Sequence, residues 1–214
     1  MNNKNLTLLI LLLCYFFSAF AQEDNFKRVA EEEEVGSILN QKAKKIQTIT
    51  SDFIQKKHMD YLTVTIKSKG SFWFKKENYL RWEYKEPFLY KIVIKNGKIF
   101  IANEENNSEF NIKGNKIFRE VNNIIVSAVK GEILTNEKYK TSVLENTEYY
   151  LIKLIPKEMD GDNIIKEMHM FFNKDNMQIS KIKMVETSDN YTIITFINRK
   201  INAPIPDTIF NINQ

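Results

Sequence analysis

Chemistry would require nucleophiles, acid–base pairs or metal ligands gathered together, and this sequence has few candidates. Its two histidines, His58 and His169, lie far apart, and neither has metal-ligand spacing to other donors. His169 sits between Met168 and Met170 in an alternating run, which places it on the outward face. Asp160-Gly161-Asp162-Asn163 begins like a calcium loop but lacks the later ligands, so it reads as a tight turn. Glu104 and Glu105 fall in a hairpin loop, where nothing would tune either as a general acid. There is no glycine-rich phosphate loop, nucleophile elbow or Cys–His pair. The expectation is a protein with no catalytic residues, no metal and no cofactor.

Apolar side chains in strand-like alternation stand where catalytic groups would be. Phe72 and Phe74 share a face with Lys76; Leu80, Trp82 and Tyr84 share another, with Arg81 and Glu83 opposite. Tyr90, Ile92 and Ile94 repeat the pattern, as do Met168, Met170 and Phe172. Two readings stay open at this point. The residues form a filled core, or they line a greasy pocket, for which aromatics and adaptable methionines are well suited.

The elements that carry them begin with one helix. Glu31, Glu32, Glu33 and Glu34 precede a stripe of Val35, Ile38, Leu39, Ala43 and Ile46, with Lys42, Lys44 and Lys45 at the far end. That charge order suits the helix dipole, and the stripe is one apolar face. From Thr48 the period changes to two. Strands are expected over 48–55, 62–67, 70–76, 79–84, 89–95, 98–102, 110–112 and 116–118. Asn96-Gly97 between two of them is a strong hairpin signal. Residues 119–131 return to helical spacing through Val121, Ile124, Ile125, Ala128 and Val129, with Gly131 as a C-cap. Strands resume over 139–144, 149–156, 164–173, 178–186 and 191–201, with a short last one at 210–212. The fold class is mainly β (α+β), a strongly curved sheet or open barrel of about 10–11 antiparallel strands.

Residues 1–21 read as a signal peptide: Lys4, an apolar run over 6–17, then Ala19-Phe20-Ala21 before Gln22. Alternatives are an uncleaved anchor and a lipoprotein signal acylated at Cys14. Cys14 is the single cysteine, so the remaining chain has no thiol chemistry. Residues 22–214 read as one domain, since six Gly and four Pro leave little linker material. Removing Lys4 takes the net charge from +4 to +3, too little to suggest a nucleic-acid partner.

The stretch Gly70-Ser71-Phe72-Trp73-Phe74-Lys75-Lys76-Glu77-Asn78-Tyr79-Leu80-Arg81-Trp82, continuing to Pro87, resembles the LolA family of periplasmic lipoprotein carriers. That family shows a glycine, an apolar strand, a basic pair followed by proline, an aromatic strand ending in Trp, and a later proline. The resemblance continues in Ile92-Val93-Ile94-Lys95-Asn96-Gly97-Lys98-Ile99-Phe100, and Ser51-Asp52-Phe53-Ile54-Gln55 is similar to the family's Phe-x-Gln strand. The resemblance implies an open half-barrel with the N-terminal helix and a central helical lid over an apolar cavity. It implies a monomer that takes the acyl chains of lipoproteins from an inner-membrane ABC transporter to an outer-membrane acceptor or the outer membrane itself. Acyl-chain contacts would fall to Phe72, Phe74, Leu80, Trp82, Tyr84, Ile92 and Ile94, and the lid to Ile124, Ile125 and Val129. The family's arginine, which precedes proline, is Lys76 here, and Glu77 stands at the proline. Lysine keeps the charge but loses the planar fork of donors, so it would tether the lid more loosely. Lys76 has two readings, a tether to carbonyls ending the 121–129 helix or a side chain reaching into solvent. Two rival functions remain, an envelope-stress sensor of related fold and, with less behind it, a lipid-modifying enzyme.

Overall fold

The acids and lysines flanking the first apolar stripe set a helix where the dipole favours it. In the structure, a computed structural model, that helix (α1) runs Glu32–Lys44 and buries Val35, Leu39 and Ala43 at four-residue spacing. The structure describes residues 25–76, 79–103, 107–111, 124, 127–128, 131–158, 165–188 and 190–212. Before α1 lies a two-residue strand, β1 (Lys27–Arg28). After it come β2 (Thr48–Met59), β3 (Val64–Lys75), β4 (Tyr79–Glu86), β5 (Tyr90–Lys95), β6 (Lys98–Asn103) and β7 (Asn107–Asn111). The second group is β8 (Tyr139–Glu145), β9 (Tyr149–Pro156), β10 (Ile165–Asn173), β11 (Gln178–Glu186) and β12 (Tyr191–Ile201).

Among the described residues twelve strands form one sheet, ordered β1-β8-β9-β10-β11-β12-β2-β3-β4-β5-β6-β7, and every pair is antiparallel. Two meanders, β2–β7 and β8–β12, are joined where β12 pairs with β2. The sheet does not close: among the described residues β1 and β7 are its two edges. The count exceeds the expected 10–11, with the two-residue β1 among the additions, and the structure also divides some stretches differently from the sequence reading.

The largest such difference is β3. The sequence splits it into 62–67 and 70–76, but the backbone runs unbroken from Val64 to Lys75 and pairs with β2 from Met59↔Val64 to Thr48↔Lys75. Gly70 is a close-approach residue here, not a turn. A Cβ at Gly70 would lie 2.6 Å from the Phe53 ring and 1.9 Å from the carbonyl oxygen of Glu83. The bare backbone lets Phe53 cross over the strand, and β3–β4 pairing shifts register at Lys69/Gly70. The expected Asn96-Gly97 hairpin does form, with φ of 52° and 72°. The expected strand at 210–212 does not form: Asp207–Phe210 is a 3-10 turn. Its Phe210 packs with Val93 and Ile205 on the outer face, and Arg81 donates to the carbonyls of Ile209 (2.8 Å) and Asn211 (3.2 Å). The expected strand at 116–118 and turn at 160–162 lie outside the described residues.

Of the expected central helix, Ile124, Ser127 and Ala128 are described and have helical backbone. Gly131 ends that turn as expected: its N–H donates to Ala128 O at 3.2 Å, and Glu132 N–H to Ser127 O at 2.8 Å. α1 and this turn bury Val35, Leu39, Ile124 and Ala128 against Val143, Ile152, Leu154, Met168 and Met170 of the second meander. The first meander carries its own cluster of Phe53, Phe72, Phe74, Leu80, Trp82, Ile94 and Ile99.

Because the Gly70 site has no room for a methyl group, Gly70→Ala should destabilise the protein by about 3 kcal/mol, the upper range for overpacking. Urea melts of Gly70→Ala and wild type measure this; matching midpoints would mean that Phe53 and Glu83 do not need the bare backbone.

Candidate functional site

Period-two alternation sends one set of side chains from each strand to the inner face, and the two clusters there do not fill the space between them. A cavity of about 300 Å³ remains, at the lower end of the size range of small-molecule sites. α1 contributes Leu39 and Ala43, and the helical turn contributes Ile124 and Ala128. The first meander supplies Ile49, Gln55, Phe72, Leu80, Trp82, Tyr84, Ile92 and Ile94. The second supplies Met168, Met170, Phe172, Met184, Ile194 and Phe196 among others.

Of the side chains expected to line a cavity, the structure brings together Phe72, Leu80, Trp82, Tyr84, Ile92 and Ile94. Phe74 does not join them. It is buried in the same cluster, packed beyond the cavity wall. Ile124 lies at the wall, while Ile125 and Val129 lie outside the described residues. Lys76 is exposed, and its ammonium donates to Lys44 O at 3.2 Å, the last residue of α1. One of its two sequence readings joins this lysine to carbonyls ending the 121–129 segment, most of which lies outside the described residues. Its described bond is to α1, because β3 ends beside the α1–β2 connection, where Lys76 N–H donates to Gln47 O at 2.8 Å.

Trp82 is the hub of the aromatic wall, with ring centroids 4.6 Å from Phe53, 5.2 Å from Phe72 and 6.0 Å from Phe196. Beside it, the Tyr84 hydroxyl donates to Gln55 Oε1 at 2.9 Å. Burial pushes that phenol up to about 12. Neither histidine reaches the cavity. His58 stacks on Tyr191 at 4.8 Å. His169 lies 2.7 Å from the Glu167 carboxylate, and burial lowers its pKa against the pull of that acid. Among the described residues no group of three or more His, Cys, Asp or Glu could hold a metal.

Gln178, Ile179, Arg199 and Ile201 also line the cavity, and none of them is expected there from the sequence. Strict alternation from Ile194 and Phe196 would bring Asn198 and Lys200 inward. A bulge prevents this. Ile197 pairs with Asp52 and Lys200 with Thr50, so β12 carries one extra residue, and Asn198 takes φ of 53°. Arg199 and Ile201 therefore turn inward. A second irregularity, between Phe171 and Phe172 of β10, pairs Phe172 with Ile179 and turns Ile179 inward too. The β12 bulge is held from the outer side by Asn198 Nδ2, which donates to Asp52 Oδ2 at 3.0 Å, and Ser71 Oγ, which donates to Asp52 Oδ1 at 2.8 Å, while Ser51, which shares the parity of Phe53, donates its Oγ to Ile197 O at 2.8 Å. The Asn198 and Ser71 bonds, with Lys85 nearby, hold the Asp52 carboxyl below its ordinary 3.8.

The chain belongs to the LolA family: the family profile "Outer membrane lipoprotein carrier protein LolA" matches residues 44–213. Two solved structures share the fold. An uncharacterised conserved protein from Thermus thermophilus has a TM-score of 0.51 at 7% identity, over 84% of this chain and 92% of that one. A DUF1329 family protein from Desulfovibrio piger has a TM-score of 0.50 at 12% identity, over 87% and 98%. A LolA superfamily protein from Nitrosomonas europaea has a TM-score of 0.44 at 10% identity, over 85% and 97%. No curated protein matches the chain significantly.

Asp52 supplies a pH test of the bulge. A lowered folded pKa means that its stabilisation is complete above pH 3.8 and is lost as pH falls through the lowered value. Asp52→Asn should therefore lower the urea midpoint at pH 7, and the gap to wild type should narrow below pH 3.8. A gap that stays constant with pH would show that the carboxylate's charge plays no part.

Proposed function

We propose that this protein is a periplasmic carrier that holds the acyl chains of lipoproteins, or of related lipids, in its inner cavity. It would move them from an inner-membrane ABC transporter to the outer membrane or an acceptor there. The observation that carries this reading is the cavity lining: apolar side chains from both meanders and from α1, with polar atoms confined to a few positions. Family membership over residues 44–213 supports it.

The physical need is simple. Each methylene removed from water contributes about 0.8 kcal/mol, so an acylated molecule leaves a bilayer for water very slowly. A carrier that covers part of the chain lowers that barrier, and its grip must stay weaker than that of the destination. Apolar walls of Phe, Ile and Met are non-directional, so they accept chains of varied length without a fixed register. The energy for loading would come from the transporter, and the carrier itself would need no nucleotide site. In this account the exported form begins at Gln22 after removal of residues 1–21, folds as one domain and works as a monomer. Among the described residues no helix is long and apolar enough to cross a membrane.

Native mass spectrometry of the exported protein, purified from its own envelope without detergent, tests the reading. The expected result is a lipid or acylated-protein adduct that is lost in Ile92→Trp, where a partly buried wall residue is enlarged to fill the cavity. An adduct retained in a folded Ile92→Trp variant, or a bare protein that also refuses added triacylated lipopeptide, would count against a carrier. Capture of free lipid with no lipoprotein would assign the cargo to the related lipids.

A further inference from the structure

Arg199 is the only ionisable cation among the described residues that line the cavity. The bulge in β12 turns Arg199 inward, and the register shift between β10 and β11 turns its neighbour Ile179 inward. Its Nη1 lies 3.4 Å from Gln178 Oε1, its Nη2 donates to Ile179 O, and its Cζ sits 5.2 Å from the centre of the Phe196 ring. These partners are all neutral, and among the described residues no carboxylate pairs with it. Burial alone lowers its pKa, to about 10, with no acid opposing the shift. A charge turned into an apolar cavity without a counter-charge is unfavourable, and a neutral side chain would fill the same space without that penalty. The guanidinium also has more N–H groups than the two acceptors it meets.

We propose that Arg199 is the head-group anchor of the cavity, binding the anionic oxygens of an amphiphile, carboxylate or phosphate, whose acyl chain lies against Phe196, Met184 and Trp82. The proposal rests on the carrier reading of the same cavity and narrows its cargo to amphiphiles with a negative head. The planar fork of Arg199 can meet two anionic oxygens at once. Gln178, beside it, can turn its amide to donate to the same group. The bulge network of Asn198, Asp52 and Ser71 then has a functional consequence, because it fixes the direction of the anchor from outside the cavity.

The test titrates the exported protein, in detergent-free buffer, with palmitate, lysophosphatidylglycerol and methyl palmitate. At least one anionic ligand should bind about tenfold to a hundredfold more tightly than the uncharged ester, the range for a hydrogen-bonded charge. Arg199→Gln should remove that advantage by bringing acid binding down to the level of ester binding in the same variant, and Arg199→Lys should keep part of it. A gain for palmitate alone assigns the anchor to carboxylates; a gain for the lysophospholipid alone assigns it to phosphate. Equal binding of acids and ester by wild type overturns the anchor and leaves the carrier intact, as does undiminished acid binding in Arg199→Gln. Failure of all three to bind overturns both. The acid-to-ester ratio of wild type needs no variant, so it decides the matter even if Arg199→Gln fails to fold.

Discussion

An open sheet with an inner face of Phe, Trp, Ile and Met cannot leave that face in water, and the rest of this structure follows from how the face is covered. A closed barrel would bury it strand against strand, but among the described residues β1 and β7 are the two edges of the sheet. α1 and the turn around Ile124 lie over the second meander instead, and their side chains share its core. The aromatic cluster of the first meander is left facing across a gap. That gap is the cavity. Helix–sheet contacts on one side are thus what leave space on the other.

Holding α1 in place matters for the same reason. Asn202, at φ of 58°, accepts from Gln47 N–H at 2.7 Å and donates to Lys45 O at 2.9 Å, so the end of β12 grips the helix–strand junction. Lys76 adds a bond to Lys44 O from β3. At the start of α1, Glu32 accepts from Val143 N–H of β8 at 3.3 Å. The helix is fastened at both ends to strands on either side of the cavity. On the outer face, Arg81 and Phe210 bind the C-terminal segment against β4 and β5. The outer face is therefore stabilised by polar bonds to backbone together with a small apolar cluster, and the inner face by apolar packing.

Much of this was legible in the residues. The dipole-matched acids and lysines marked α1, the Asn96-Gly97 pair marked its hairpin, and alternation marked most strands and six of the seven expected wall residues. Failures came where alternation is interrupted for a physical reason. Gly70 looks like punctuation but is a notch for Phe53. Phe74 has the right parity yet packs beyond the wall, because parity fixes a face and not a depth. Arg199 has the wrong parity, and only the Asn198 bulge sends it inward. Asn198, a residue type tolerant of positive φ, was the one local hint of that bulge. Lys76 could be placed at a strand end from sequence, but which helix end it meets depends on the three-dimensional path of the α1–β2 connection.

The central claim is that an acyl chain lies against the Trp82 wall, and the chain's two tryptophans permit a direct test. Trp82 lines the cavity, while Trp73 packs with the outer cluster near Arg81. In Trp73→Phe, Trp82 is the remaining indole, and a dibrominated stearate quenches only a ring that it touches. The account predicts saturable quenching of Trp82 emission that excess unbrominated stearate reverses by competition. Emission that falls no further than that of a free tryptophan analogue at the same bromolipid concentration would contradict it.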